Sequence, residues 1–324
     1  MGFRDKMPHP GSALLACLVL AGCGGGAATQ TCQMVHVTDL KLERHGRAFF
    51  TTIQINGHDS TVELDTGSDD NLITEEAAHR LGMPVNVSGW DYVEGVGGQQ
   101  MSGVARSRDV RLGDAHGERL EFTTVPDRKN LFSGDGLLGM PFLHDFDMDL
   151  DFWGGRVGLY KAISGCDAPR AVLSQPLYAV DLINDPSAVS PEVFVSINGV
   201  RLRARIDTGA ERTAIFRLGA RRAGLLAAEV LRSSEASGLG PRSVKTDLRI
   251  SAPVVIGDLT VNNMPVDVID QRSLGSADER QSGDTDMLLG YDFVTRVHLW
   301  ISRSSGTLIM QYPPQASPPT EDKS

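Results

Sequence analysis

Residues 52–68 read TIQINGHDSTVELDTGS, and residues 194–210 read FVSINGVRLRARIDTGA. In each, an apolar alternating run meets Asn-Gly, a strong hairpin signal, and a second run ends at Asp-Thr-Gly. Gly57 precedes Asp65 by eight residues, as Gly199 precedes Asp207. The register continues outward. Arg80-Leu81-Gly82-Met83 and Arg222-Ala223-Gly224-Leu225 place a helix-ending glycine seventeen residues past each aspartate, so a matching helix is expected before each glycine. Gly95-Val96-Gly97-Gly98 and Gly238-Leu239-Gly240 begin 30 and 31 residues past the aspartates and suit hairpin tips. Leu137-Leu138-Gly139-Met140 and Leu288-Leu289-Gly290-Tyr291 then close the units, each followed by a short helical stretch and a β hairpin. One unit is written twice.

Composition agrees with such a fold. The chain has 324 residues, 41% of them hydrophobic and 22% charged, enough apolar content for packed cores. Its 35 glycines and 16 prolines, with sparse helical periodicity, favour a β-rich, loop-rich architecture over a helical bundle, and the fold class expected is all-β with few short helices. A net charge of -10 repels a phosphate backbone, so no nucleic-acid partner is expected. The eight histidines are scattered and there is no Cys-x-x-Cys, so no metal or other cofactor is expected. Neither a Gly-x-x-x-x-Gly-Lys phosphate loop nor a Gly-x-Ser-x-Gly elbow occurs.

The N-terminus reads as an address. Arg4 and Lys6 precede an apolar run at 13–20 that is too short to span a bilayer. Leu20-Ala21-Gly22-Cys23 follows and resembles the bacterial lipoprotein signal, in which Cys23 is lipidated and becomes the mature N-terminus. The alternative is ordinary cleavage after Gly26-Ala27-Ala28, and either route exports the protein to the cell envelope. Loss of residues 1–22 leaves 302 residues carrying a charge of -11. An oxidising compartment permits disulfides, and Cys32 and Cys166 flank the first unit. A bridge between them and a pair of free thiols are the two readings, with compartment and parity favouring the bridge.

Asp-Thr-Gly arises by chance at about two positions in ten thousand, so two copies in register carry weight. As plain structure, each aspartate would cap a turn and each glycine would supply positive φ. Against this, both aspartates stand between apolar strands, Val62-Glu63-Leu64 before Leu72-Ile73 and Ala204-Arg205-Ile206 before Ala214-Ile215-Phe216. A carboxylate placed there needs hydrogen-bonding partners.

Here the sequence resembles the aspartic proteases, especially the retropepsin-like group found in bacteria as well as retroviruses. The resemblance spans residues 48–312 apart from a linker, through Asp65-Thr66-Gly67-Ser68, Asp207-Thr208-Gly209-Ala210 and the two Leu-Leu-Gly elements. It implies two retropepsin-like lobes in tandem, with pseudo-twofold symmetry and one catalytic dyad, Asp65 with Asp207. Thr66 and Thr208 would bond across the lobe boundary, and Gly67 and Gly209 would allow close backbone approach. It also implies a protein or peptide substrate bound extended beneath flaps. Candidates are Gly95, Gly97 and Gly98 in the first lobe and Gly238 and Gly240 in the second. Trp90 and Tyr92 on the flap approach are read as ordinary packing. The first lobe departs from the pattern, with Met140-Pro141-Phe142 where the second has Tyr291-Asp292-Phe293.

The expected organisation is a signal at 1–22, an N-terminal tether at 23–40, lobes at 41–165 and 191–313, a proline-rich linker at 166–190 and a disordered tail at 314–324. The leading function is an exported, lipid-anchored aspartic endopeptidase acting as a monomer, anchored to the membrane through Cys23. A binding lipoprotein that keeps the cleft without cleaving, and a purely structural β protein, are the other classes; intact aspartates argue against the former. The Ser68 hydroxyl is expected to bond the Asp65 carboxylate, which would leave Asp207 as the proton holder.

Overall fold

A computed structural model of the chain describes residues 33–87, 92–126, 133–164, 177–185, 189–270 and 285–312. The signal segment, Cys23, Cys32, Trp90, Cys166, most of the linker and the tail lie outside the described residues.

Each Asn-Gly closes a two-residue hairpin. Asn56 and Gly57 take φ of 52° and 83°, and Asn198 and Gly199 take 52° and 75°, the paired positive values that a type I′ turn requires. The turns join Ala48–Ile55 to His58–Leu64 and Glu192–Ile197 to Val200–Ile206. Both turn asparagines have a second role. Asn56 Nδ2 donates to the Leu81 carbonyl at 2.9 Å, and Asn198 Nδ2 donates to the Ala223 carbonyl at 2.8 Å. Those carbonyls end the helices Glu75–Arg80 and Arg217–Arg222, satisfying acceptors left open at a helix terminus. The chain leaves each helix through a left-handed glycine, Gly82 or Gly224.

In each lobe the strand that delivers the aspartate is central. His58–Leu64 is flanked on its other side by Gly136–Leu138, running parallel, which pairs in turn with Leu72–Thr74. Val200–Ile206 has Met287–Leu289 and Ala214–Phe216 in the same places. These short strands are apolar because both their faces are covered. Leu64, Leu138, Ile206 and Leu289 are buried, and each such side chain contributes about 1.5–3 kcal/mol. The helices Met140–Leu143 and Tyr291–Val294 follow, the first carrying Pro141 in its opening turn, where no donor is missed.

The closing hairpins of the two lobes meet in one six-stranded sheet. Asp147–Asp151 pairs with His298–Ser302, setting Met148 opposite Ile301 and Leu150 opposite Leu299. A continuous buried cluster runs from Phe49 and Ile53 through these residues to Val195 and Ile256, so the lobes share a core. The outer strands of the sheet come from the segments expected to be tether and linker. Gln33–Lys41, all but its last residue in the expected tether, pairs with Arg156–Ser164, and Tyr178–Asp181, within the expected linker, pairs with Thr307–Gln311. Both are edge strands, which need little apolar content, and the second is four residues long beside a proline-rich stretch.

Candidate active site

The two Asp-Thr-Gly loops face each other and are tied by four reciprocal bonds. Thr66 N donates to Thr208 Oγ1 at 3.0 Å and Thr208 N to Thr66 Oγ1 at 3.2 Å. Each hydroxyl donates onward across the boundary, Thr66 Oγ1 to the Ile206 carbonyl at 2.7 Å and Thr208 Oγ1 to the Leu64 carbonyl at 2.6 Å. Both threonines are buried, so every one of these groups would be costly to leave unpaired. Behind the first loop the Leu-Leu-Gly element supplies the Leu138 carbonyl to Asp65 N, and behind the second the Leu289 carbonyl to Asp207 N, each at 3.1 Å.

Locked this way, the carboxyl groups of Asp65 and Asp207 come within hydrogen-bonding reach of each other. The glycines make room. A Cβ on Gly67 would lie 2.3 Å from Asp207 Cγ, and one on Gly209 would lie 2.4 Å from Asp65 Cγ. Burial raises both carboxyls above the ordinary aspartate range, and for Asp65 the neighbouring charge of Asp207 raises it further. Two such groups share one proton.

Which one holds that proton is decided by backbone donors. Asp207 Oδ1 accepts from Gly209 N at 3.1 Å and Ala210 N at 2.9 Å, whereas Asp65 Oδ1 accepts from Gly67 N at 2.8 Å. Ser68 N turns instead to the Asp65 main-chain carbonyl, and Ser68 Oγ donates to the Asp70 carbonyl at 2.8 Å. The expected Ser68–Asp65 side-chain bond is therefore replaced by a turn within residues 68–70. With more donors on its oxygen, Asp207 is the charged member and Asp65 carries the proton, the reverse of the sequence expectation. Ser68→Ala should accordingly leave the pH dependence of any activity unmoved. A shift of its acid limb would restore Ser68 as a partner of the dyad.

The sequence reading gave no role to two supports. Arg205 Nη1 donates to the Gly67 carbonyl at 2.9 Å, and its Nε to Glu192 Oε1 at 3.2 Å, so a second-lobe side chain holds the first-lobe loop. Buried Glu192 also accepts from Thr285 Oγ1 and pairs with Arg203. On the other loop, Asp292 Oδ2 accepts from Thr213 N at 3.2 Å, while its Oδ1 takes Arg47 of the first lobe at 2.8 Å. Where the first lobe has Pro141, Asn71 substitutes, its Oδ1 accepting from Gly139 N at 3.0 Å. The available signal was charge in an apolar place: Arg205 stands two residues before an aspartate, inside a buried strand.

The candidate flaps meet tip to tip. Tyr92–Gly95 and Gly98–Met101 form the first hairpin, and Arg232–Ala236 with Val244–Ile250 the second. Gly240 N donates to the Val96 carbonyl at 3.0 Å. A Cβ on Gly97 would fall 2.0 Å from the Arg242 carbonyl oxygen, on Gly240 2.0 Å from the Gly97 carbonyl carbon, and on Gly95 2.8 Å from Leu239 Cβ. Gly238 lies against Val96, and Gly98 faces the Arg242 side chain. Leu239 reaches the first-lobe cluster of Leu72, Val93, Val125 and Leu137, while Val96 reaches the second-lobe cluster of Ala214, Phe216, Ile269 and Leu288. Tyr92, read as a packing residue, is exposed. Among the described residues no group of three or more His, Cys, Asp or Glu is arranged to hold a metal.

Comparison with known proteins gives the same two-part picture. Residues 51–142 and 193–293 each match the family model described as aspartyl protease. Among solved structures, the crystal structure of a retropepsin-like aspartic protease from Rickettsia conorii is similar at 19% identity and a TM-score of 0.32, covering 41% of this chain and 95% of that one. No curated protein matches.

Proposed function

The chain belongs to the aspartyl protease family, and from that premise we propose that it is an exported endopeptidase whose single dyad, Asp65 with Asp207, hydrolyses peptide bonds. The observation that carries this reading is the reciprocal Thr66–Thr208 lock, which brings both aspartates together within one chain. A monomer therefore suffices.

The chemistry follows from the proton asymmetry. Ionised Asp207 takes a proton from a water between the carboxyls as that water's oxygen bonds the scissile carbonyl carbon. Asp65 gives its proton to the carbonyl oxygen, so the tetrahedral intermediate forms without net charge. Collapse reverses the roles: Asp207 protonates the leaving nitrogen, the carbon–nitrogen bond breaks, and a hydroxyl proton returns to Asp65. The substrate, an extended peptide, lies beneath the tips carrying Val96 and Leu239, and admission requires those tips to part.

Purified residues 32–324 incubated with a mixed peptide library should cleave internal bonds, best at mildly acidic pH where the dyad holds one proton. Peptide binding without cleavage at any pH, by folded protein, would replace the enzyme with a binding protein that uses the same cleft.

The proposed address is a lipid anchor on Cys23. Cys23→Ser should move the protein from the membrane fraction to the soluble exported fraction, because the thioether to lipid needs that sulfur. Unchanged detergent partitioning of the variant would overturn the lipoprotein reading.

A further inference from the structure

The position two residues before each catalytic aspartate carries a charge, and the two charges have opposite signs: Glu63 and Arg205. Strand register makes them equivalent. Glu63 lies opposite Phe50 on one side and Leu137 on the other, as Arg205 lies opposite Glu192 and Leu288. Arg205 thus has a counter-ion on the neighbouring strand, where Glu63 has a phenylalanine ring.

Glu63 is 9% exposed, and its buried Oε1 has no hydrogen-bond partner among the described residues. Among the described residues the charged groups that act on it are all acidic: Asp65 at the end of its own strand, and Asp207 and Glu211 in the opposing loop. Phe50 and Leu137 bring no charge, and Arg47, which reaches the Glu211 backbone, is committed to Asp292 and the Glu211 carbonyl. Burial first, and then these three carboxylates, hold the Glu63 carboxyl well above the ordinary glutamate range.

We propose that Glu63 is a third carboxyl of the site, a positioning residue that holds its proton at acid pH and gives it up before the dyad loses the shared one, so that its ionisation sets the upper pH limit at which the dyad keeps that proton. The dyad's first ionisation occurs with Glu63 neutral and is indifferent to it. Its second, the loss of the shared proton, is opposed by a negative charge on Glu63, as like charges oppose ionisation at close range. A glutamate in this place therefore extends activity toward neutral pH.

The kinetic consequence rests on the peptidase reading; a stability consequence does not. A carboxyl whose folded pKa lies above its unfolded value keeps a proton in the native state that the unfolded chain releases. Stability from this group is present below the unfolded glutamate pKa, about 4.3, and is lost as pH rises through the folded value. Glu63→Gln removes this contribution.

The test compares wild type with Glu63→Gln, and with Glu63→Met, which matches the shape without adding an amide that needs partners. Expected are an alkaline limb of kcat/KM lowered by about half a pH unit or more, an unmoved acid limb, and a melting temperature that falls less steeply between pH 5 and 8 in both variants. A purely structural glutamate would lower activity or melting temperature without moving one limb alone. Identical melting slopes, or an alkaline limb that stays in place, would overturn the proposal. If folded protein cleaves no peptide, the melting slopes alone decide it, so failure of the peptidase reading is seen separately.

Discussion

Asp65→Asn and Asp207→Asn should each lower kcat/KM by at least ~100-fold, the scale of removing an acid–base group. The reason differs between the two. Asn at 207 cannot take the proton of the attacking water, whereas Asn at 65 leaves the carbonyl oxygen without its proton. Folding should not suffer, because both carboxyls are buried and raised above the ordinary range. A neutral amide avoids the cost of ionising them in the native state, so at neutral pH the melting temperatures of the variants should equal or exceed that of wild type. Purified variants assayed on one cleaved peptide, with melting curves alongside, give both readings. Near-normal cleavage by Asp207→Asn with loss in Asp65→Asn would mean that the dyad forms from two first lobes in a dimer.

The pairing of the two Asp-Thr-Gly loops was legible in the sequence because its causes are local and repeated. Asn-Gly, Asp-Thr-Gly, the helix-ending glycines and Leu-Leu-Gly each dictate a backbone shape within a few residues, and their common spacing marks the symmetry. The structure answers with matching bonds, Asn56 to Leu81 and Asn198 to Ala223. What the sequence concealed depends on direction and distance. Ser68 lies three residues past Asp65, yet its hydroxyl finds the Asp70 carbonyl first, since local side-chain-to-backbone bonds compete for such donors. The short strand Tyr178–Asp181 carries little pattern of its own and becomes a strand only because Thr307–Gln311 offers an open edge. Arg205 and Glu63 were visible as charges in apolar runs, but their roles depend on what lies across the sheet, Glu192 in one case and Phe50 in the other. Such long-range complements have no signature in a single strand.

Gly67→Ala and Gly209→Ala should abolish activity nearly as completely as loss of an aspartate, though no reacting group is removed. Each new Cβ would fall within 2.4 Å of the opposing carboxyl carbon, and real Cβ atoms essentially never come within 3.0 Å of a neighbour. The aspartate cannot simply step aside. Asp207 is held by Gly209 N and Ala210 N, Asp65 by Gly67 N, and both loops by the reciprocal threonine bonds. The collision is therefore relieved by parting the loops, on the order of 1 Å, and a misplacement of that size costs about 100-fold in rate. Stability should also fall, by about 1–3 kcal/mol for overpacking a close-packed site. Gly82→Ala separates the two effects: its Cβ meets nothing within 4 Å, but φ of 65° strains any side chain there. That variant should lose stability while each folded molecule retains its kcat/KM. Wild-type turnover by Gly67→Ala would mean that the carboxyls need not approach as closely as the threonine lock holds them, and that one aspartate acts without the other.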